Sequence, residues 1–462
     1  MATIIPGRKA CTTNPLKMSA PIGAALAFLG MDRALPLLHG SQGCTAFGLV
    51  LFVRHFRETI PLQTTAMNEV TTILGGLENI EQALLNIKKR ANPALIGLCS
   101  TGITEAKGDD VAGFLKLIRE KHPELAGTEV VFAPTPDFVG GFSDGWAKAV
   151  TAMVDALVPP TKMRTPWQVN ILAGCHLTPG DIEEIRETVE AFGLTPIVLP
   201  DLSGSLDGHI PETFLPHTLG GTRVEDVKRM GASAITIAVG EQMRPAAELL
   251  EKKAGVPFRV FERLSGLAAC DAFIALLSDL SEQDVPAKYR RQRSQLQDAM
   301  LDGHFYFGEQ KVAIAAEPDL LFALSHFFAD MGAQVTCAIA PQDAPVLARV
   351  AAQTVRIGDL GDFEEHAAGC DLLVTHSHGR QAAARLGIPF WRAGLPTFDR
   401  LGVAHKVTVG YRGTRDLIFE VGNVFMEQLH AHEQHVTPAS VRPDLHRPGP
   451  APAVDTPAHA GH

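Results

Sequence analysis

The sequence predicts an α/β protein of three domains, each a mostly parallel sheet flanked by helices. Three observations carry that expectation. The chain has 462 residues, and domains hold roughly 100–200 residues each, so about three are expected. Its composition, 46% hydrophobic and 20% charged, is that of a globular chain with a large core. The third observation is a recurring local unit of a helical pattern, a glycine and a short apolar run. It occurs at residues 193–199 (GLTPIVL), 255–260 (GVPFRV), 332–339 (GAQVTCAI) and 387–392 (GIPFWR). Glycine suits the left-handed position that ends a helix. The apolar run suits a strand buried on both faces. Helix–strand alternation of this kind marks parallel, Rossmann-like sheets. The units differ in length and share no other residues, so they are not a solenoid repeat.

The elements follow in order. The opening MATIIPGRKACTTNP lacks the apolar region of a secretion signal. The apolar stretch at residues 22–31 is cut off by Asp32 and Arg33, far short of the roughly 20 residues that span a bilayer. A cytoplasmic protein is expected. Val111, Phe114, Leu115 and Ile118 mark a core-facing helix, with a strand after it at 130–133. Pro159-Pro160 and Thr165-Pro166 predict a break near residue 162, closing a first domain at 1–162. A second, 163–303, opens with a strand at 169–173. Thr178-Pro179-Gly180-Asp181 then reads as an N-cap, a proline at the first helical position and an acid three residues after the cap. Ile182, Ile185, Val189 and Phe192 continue it at helical spacing. A strand follows at 234–239, and the charged run 281–297 predicts a connecting helix. The third domain, 304–436, carries strands at 311–315 and 371–374. Residues 437–462 are rich in proline, alanine and histidine and read as a disordered tail.

Several chemistries lack their marks. The net charge of -10 argues against nucleic acid, which selects basic surfaces. A P-loop and HExxH are absent, no GxGxxG follows a strand, and no GxSxG nucleophile elbow is expected. Seven cysteines are present, Cys11, Cys44, Cys99, Cys175, Cys270, Cys337 and Cys370. The odd count and the lack of any CxxC pair speak against a disulfide framework and against a self-contained zinc or iron–sulfur site.

One segment stands out, His39-Gly40-Ser41-Gln42-Gly43-Cys44. Glycines beside a cysteine let backbone approach a bulky ligand. A thiolate is the soft ligand that iron prefers. Ser41, Gln42 and Gly43 can then support the bound group by hydrogen bonds and close approach. Taken alone, a lone cysteine in a glycine-rich turn is more often a packed or incidental thiol than a ligand. His39 is either a supporting donor or a helix-end residue. His376 and His378, in THSHGR, follow the strand at 371–374, where α/β sites gather. A loop pair bonded to backbone is the plainer reading of those two. Cys270 and Cys337 lie in apolar surroundings and read as small core residues.

Context gives the hexapeptide its meaning. Residues 21–44 (PIGAALAFLGMDRALPLLHGSQGC) and 54–76 (RHFRETIPLQTTAMNEVTTILGG) resemble the cluster-binding region of the nitrogenase molybdenum–iron protein family. Four further matches keep the family's order: STGITEAKGDDVAGF, PTPDFVGGFSDGW, GLPTFDR and TVGYRG. Within the family the chain is similar to the β-type chains. The catalytic β chain supplies three cysteines to an eight-iron cluster. Here the resemblance puts Ser19 at the first, Cys44 at the second and Gly102 at the third. Cys99 lies three residues before Gly102 and would need a register shift to replace it. The resemblance therefore implies the cofactor-assembly branch, with Cys44 as the single metal ligand toward a [4Fe–4S] cluster shared with an α-type chain, NifE. A cubane normally takes four thiolates, so the others come from that chain.

The resemblance further implies a NifE-containing α2β2 scaffold on which the nitrogenase iron–molybdenum cofactor matures from an iron–sulfur precursor. NifB would donate the precursor, the Fe protein NifH would deliver molybdenum and homocitrate, and the apo molybdenum–iron protein would accept the product. No catalytic residue is expected, and neither nucleic acid nor membrane. The alternatives are the catalytic β chain and a protochlorophyllide reductase-like subunit. Cysteines at positions 19 and 102 would have favoured the first. HGSQGC and RHFRE stand against the second.

Overall fold

A computed structural model describes residues 1–7, 9, 12 and 14–436 of the chain. Cys11 and the expected tail at 437–462 lie outside the described residues. Three sheets are built, and every strand pair in them is parallel. The strands are β1 (Thr3–Ile5), β2 (Ala34–His39), β3 (Gln63–Thr64), β4 (Leu95–Ser100), β5 (Glu129–Ala133), β6 (Thr165–Ala173), β7 (Thr195–Leu199) and β8 (Ser233–Val239). They continue as β9 (Phe258–Phe261), β10 (Lys311–Ala315), β11 (Gln334–Ala340), β12 (Thr354–Ile357), β13 (Leu372–Thr375) and β14 (Phe390–Arg392). The sheets run β3-β2-β4-β5, then β7-β6-β8-β9, then β1-β12-β11-β10-β13-β14. The α/β class with parallel sheets is as expected. Strand β1, from the start of the chain, joins the edge of the third sheet beside β12.

The apolar stretch near the start becomes helix α1 (Ala20–Leu29), all ten residues of which are buried. Small residues let it approach the helix Phe142–Leu157 closely. A Cβ on Gly23 would fall 1.9 Å from the Phe142 carbonyl oxygen, and one on Gly145 would fall 1.8 Å from that of Ala20. Only glycine allows that contact. Trp146, fully buried, donates its indole N–H to the Ala173 carbonyl at 2.9 Å and so ties the first sheet's helices to the second sheet.

The helix start read at Thr178 is present. Thr178 Oγ1 accepts the Asp181 amide at 2.9 Å, and Asp181 Oδ2 accepts the Thr178 amide at 3.0 Å. Asp181 also takes the Thr408 hydroxyl at 2.9 Å, so one capping acid joins two distant segments. The expected connecting helix at 281–297 is divided. One helix ends at Ser281, and another runs Ala287–Phe307. Pro286 is the N-cap of the second helix. Proline lacks the amide and disfavours a helical residue before it, so it starts the new helix rather than continuing the old. Among the described residues no helix is long and apolar enough to cross a membrane.

Candidate functional site

Strand β2 delivers the glycine-rich turn. Its six residues are buried, and the chain then turns at Gly40 into helix α2 (Gln42–Phe56), whose N-cap is Ser41. A Cβ on Gly40 would fall 2.5 Å from Thr101 Oγ1, so this turn needs glycine. His39 is buried and faces away from the turn's ligand side. Its Nδ1 lies 3.0 Å from Thr65 Oγ1, and its Nε2 lies 3.5 Å from Asp109 Oδ2. Burial lowers the His39 pKa, and the Asp109 charge opposes that shift. Its carbonyl accepts Thr101 Oγ1 at 2.9 Å. His39 therefore anchors the turn to the segments around residues 65, 101 and 109.

Cys44 stands in the first turn of α2, half-buried, with Sγ 3.8 Å from Ser41 Oγ. Ser41 makes no side-chain cap bond of its own. Gly43 is open, since a Cβ there would meet only Ser41 Oγ, at 4.0 Å. Gln42 is exposed. Cys44 opens onto a cavity of about 770 Å³ whose walls include Ser19, Phe47, Asp137, His376, His378 and Phe398. Gly102 begins a short helix, and its amide donates to Asp137 Oδ2 at 3.2 Å. Two of the three positions singled out in the sequence thus line this cavity, and the third bonds one of its wall residues. Ser19 and Cys44 line it, and Gly102 stands behind Asp137.

The other described cysteines are elsewhere. Cys99 is fully buried in β4, and burial pushes its thiol far above the usual range. Burial raises Cys270 and Cys337 to about 12. Cys270 Sγ donates to the Leu264 carbonyl at 3.3 Å, and Cys370 pairs with Thr336 Oγ1 at 3.3 Å. Cys175 is half-buried beside Glu317 and Asp319, and burial raises its thiol well above the usual value. Among the described residues, no group of three or more His, Cys, Asp or Glu side chains could hold a metal ion.

His376 and His378 do reach the cavity. They lie just beyond β13, with ring centroids 5.2 Å apart and edge to face. The His378 amide donates to His376 Nδ1 at 3.4 Å, which is the backbone-bonded arrangement. Burial holds the His376 pKa down at about 3, so its ring is neutral at ordinary pH.

Three features were not found by sequence reasoning. Asp137 faces the cavity from a loop with no ligand spacing. The segment around Phe398 forms the far wall, gripped by α2: Arg54 lies 3.9 Å over the Phe398 ring, and Arg57 donates to the Phe398 carbonyl at 3.2 Å. The third is Gly141 to Gly145, GFSDG, which has the GxSxG spacing of a nucleophile elbow. Ser143 is buried there. Its hydroxyl accepts Gln342 Nε2 at 3.0 Å, and it hydrogen-bonds Glu317. No histidine holds it as a base would.

Comparisons with known proteins agree on one family. The profile described as "Nitrogenase component 1 type Oxidoreductase" matches residues 19–426. The nitrogenase iron-molybdenum cofactor biosynthesis protein NifN of Bradyrhizobium diazoefficiens is 56% identical, over 100% of this chain and 97% of its own. The protein of the same name from Nostoc sp. is 51% identical, over 92% and 96%. A solved chain of "Nitrogenase Cp1 at pH 6.5" is 32% identical, with a TM-score of 0.88 over 94% of this chain and 97% of that one. A chain of "Nitrogenase Cp1 at pH 5", 13% identical with a TM-score of 0.70, shares the fold.

Proposed function

The chain belongs to the nitrogenase component 1 type oxidoreductase family, and from that premise we propose that it serves the biosynthesis of the iron–molybdenum cofactor as a scaffold subunit. Relatives named for that biosynthesis, such as the 56% and 51% identical proteins, match nearly the whole chain. The solved nitrogenase chain is 32% identical. The assembly reading is therefore favoured over the catalytic one.

One observation carries the reading at the site. Of the three positions singled out in the sequence, Cys44 alone has a thiol. Its cavity is open and has room for a cluster, and among the described residues no other cysteine lines it. A [4Fe–4S] cluster needs about four thiolates, so one from this chain fits a cluster completed by another. Phe47, Val50 and Val53 on α2, with Ile103, Phe138 and Val139 nearby in the chain fold, are exposed. Apolar surface of this kind around a half-built site marks an interface. When bound, the cluster supplies one-electron transfer. Cys44 holds it, Gly43 leaves it space and Ser41 supports the sulfur. The partner is NifE in an α2β2 assembly that carries the cofactor precursor. NifB donates the precursor, NifH delivers molybdenum and homocitrate, and the apo molybdenum–iron protein accepts the product.

Anaerobic purification tests this directly. The chain expressed alone should hold little iron, and co-expression with NifE should yield a brown complex. A lone chain carrying a full complement of cluster iron would overturn the shared site.

A further inference from the structure

Three cavities share walls. The Cys44 cavity meets an inner chamber of about 80 Å³ at Leu16, Met18 and His376, which line both. The chamber meets a cleft of about 660 Å³ at His55, Phe56 and Val403, which again line both. The chamber lies beyond the carboxyl ends of strands from two sheets. Cys175 and His176 follow β6, Glu317 follows β10 and His376 follows β13. Such crevices are where α/β proteins place ligands. At about 10–15 Å³ of such space for each water, the chamber has room for several.

Glu317 is its acid. It accepts hydrogen bonds from the hydroxyl and amide of Ser143. Its Oε2 is buried and has no hydrogen-bond partner among the described residues. Asp144 faces it from the helix Phe142–Leu157, Asp319 from its own helix, and Cys175 from beyond β6. His55, His176 and His376 line the same chamber. Lys17 comes up from the Cys44 side, its Cε 3.3 Å from where a Cβ on Gly141 would sit. A carboxyl oxygen with no donor beside two other carboxyls is far costlier as an anion than as an acid. Burial accordingly raises Glu317 to about 7, and it holds His55 and His176 down at about 4. His55 Nδ1 accepts the Thr397 amide at 2.9 Å, which leaves the ring proton on Nε2.

We infer that the chamber holds a file of water molecules with Glu317 as its proton carrier, so that protons pass between the far cleft and the Cys44 cavity through this chain. His376 and His55 stand at the two necks as neutral imidazoles. Above about pH 7, where Glu317 is ionised, an electron that an external one-electron reductant delivers to a cluster on Cys44 is matched by up to one proton. That proton arrives from the cleft and forms an O–H bond on Glu317. Reoxidation breaks the same bond and returns the proton to the water file. The chamber stands on its own geometry, and only the electron-coupled step rests on the cluster reading of Cys44.

The test uses the complex with its partner, titrated with dithionite, in the parent and in Glu317→Gln. In the parent the midpoint potential of the iron–sulfur EPR signal should fall as pH rises above about 7, by up to about 59 mV per tenfold change in proton concentration. In the Gln variant it should be flat. Infrared spectra of the parent should show a buried protonated carboxyl that titrates near 7 and is lost in the variant. Equal slopes in both proteins, or no such band in the parent, overturn the inference. If the parent shows no iron–sulfur signal, the cluster reading fails and the infrared band alone decides the chamber. If the variant does not assemble, the parent's band still decides, since one that fails to titrate near 7 refutes the carrier.

Discussion

The Cys44 cavity and the Glu317 chamber share His376 as a wall and are built on opposite principles. The cavity is open, with an exposed phenylalanine, Phe47, at 65% and a glycine, Gly43, that meets almost nothing. The chamber is small, about 80 Å³, and walled by groups that titrate. At the cavity the chain leaves apolar surface uncovered around one thiol, which under the proposed function is a site completed from outside. At the chamber it withholds carboxyls from water, so what completes it is a proton. Apolar exposure and buried acid are both costly to a lone chain. Each is relieved by a different kind of partner.

The largest expected effect separates the cavity thiol, Cys44, from a core thiol, Cys99. Cys44→Ala should remove most of the shared-cluster iron from the purified complex and abolish its absorbance and EPR signal, with the fold intact. Cys99→Ser should do the reverse. Its hydroxyl would be buried in β4 where Cys99 makes only a long contact to the Gly97 carbonyl, at 3.9 Å, and stability should drop by about 1–3 kcal/mol while iron stays. Iron retained in Cys44→Ala would remove the cavity from the comparison altogether.

The chamber should show itself in the pH dependence of stability. The Glu317 pKa is about 7 in the folded chain against 4.5 ordinarily, so the folded state holds its proton more tightly. Stability should therefore fall as pH rises from about 4.5 to about 7, then level off. His55, His176 and His376, whose values are lowered, act in the opposite sense, since stability is lost as pH falls from about 6.5 toward 4 and below. Glu317→Gln isolates the acid. Its melting temperature should exceed the parent's above pH about 7, by an amount equivalent to at most about 3 kcal/mol, and should match it at pH about 4. Melting curves that differ equally at all pH values would mean that Glu317 is a packing residue.

These two regions were unequally legible in the sequence. Four strand positions were readable because each follows a glycine that stops a helix, and others, such as the one at 311–315, from apolar runs alone. Lys311–Ala315 was read to the residue, and Thr178 announced its helix by the capping residues alone. Cys44 was legible because the turn, the thiol and the helix are contiguous, so local chemistry and family pattern coincide. The chamber was not, because its members lie at 55, 175–176, 317 and 376 and meet only through the packing of separate sheets. No spacing rule links them. The connecting helix was misjudged because its charged surface pattern extends over Pro286, and the proline, rather than the pattern, sets the boundary.

The smallest effect tests how the cavity tunes what it holds. An N-cap serine usually accepts an amide of its own helix, and losing that bond costs about 1 kcal/mol. Ser41 makes no such bond, so Ser41→Ala should cost the helix less than that. The hydroxyl lies 3.8 Å from Cys44 Sγ instead, a long contact for a donor to sulfur. A donor to a ligating sulfur favours the reduced, more negative state of an iron–sulfur cluster and raises its potential. Ser41→Ala in the complex should therefore leave iron content unchanged and lower the midpoint potential slightly, while Ser41→Thr, which keeps the hydroxyl, should restore it. A loss of iron comparable to that in Cys44→Ala would make Ser41 part of what holds the turn in place. A potential unchanged in the alanine variant would mean that the hydroxyl makes no hydrogen bond to the ligating sulfur.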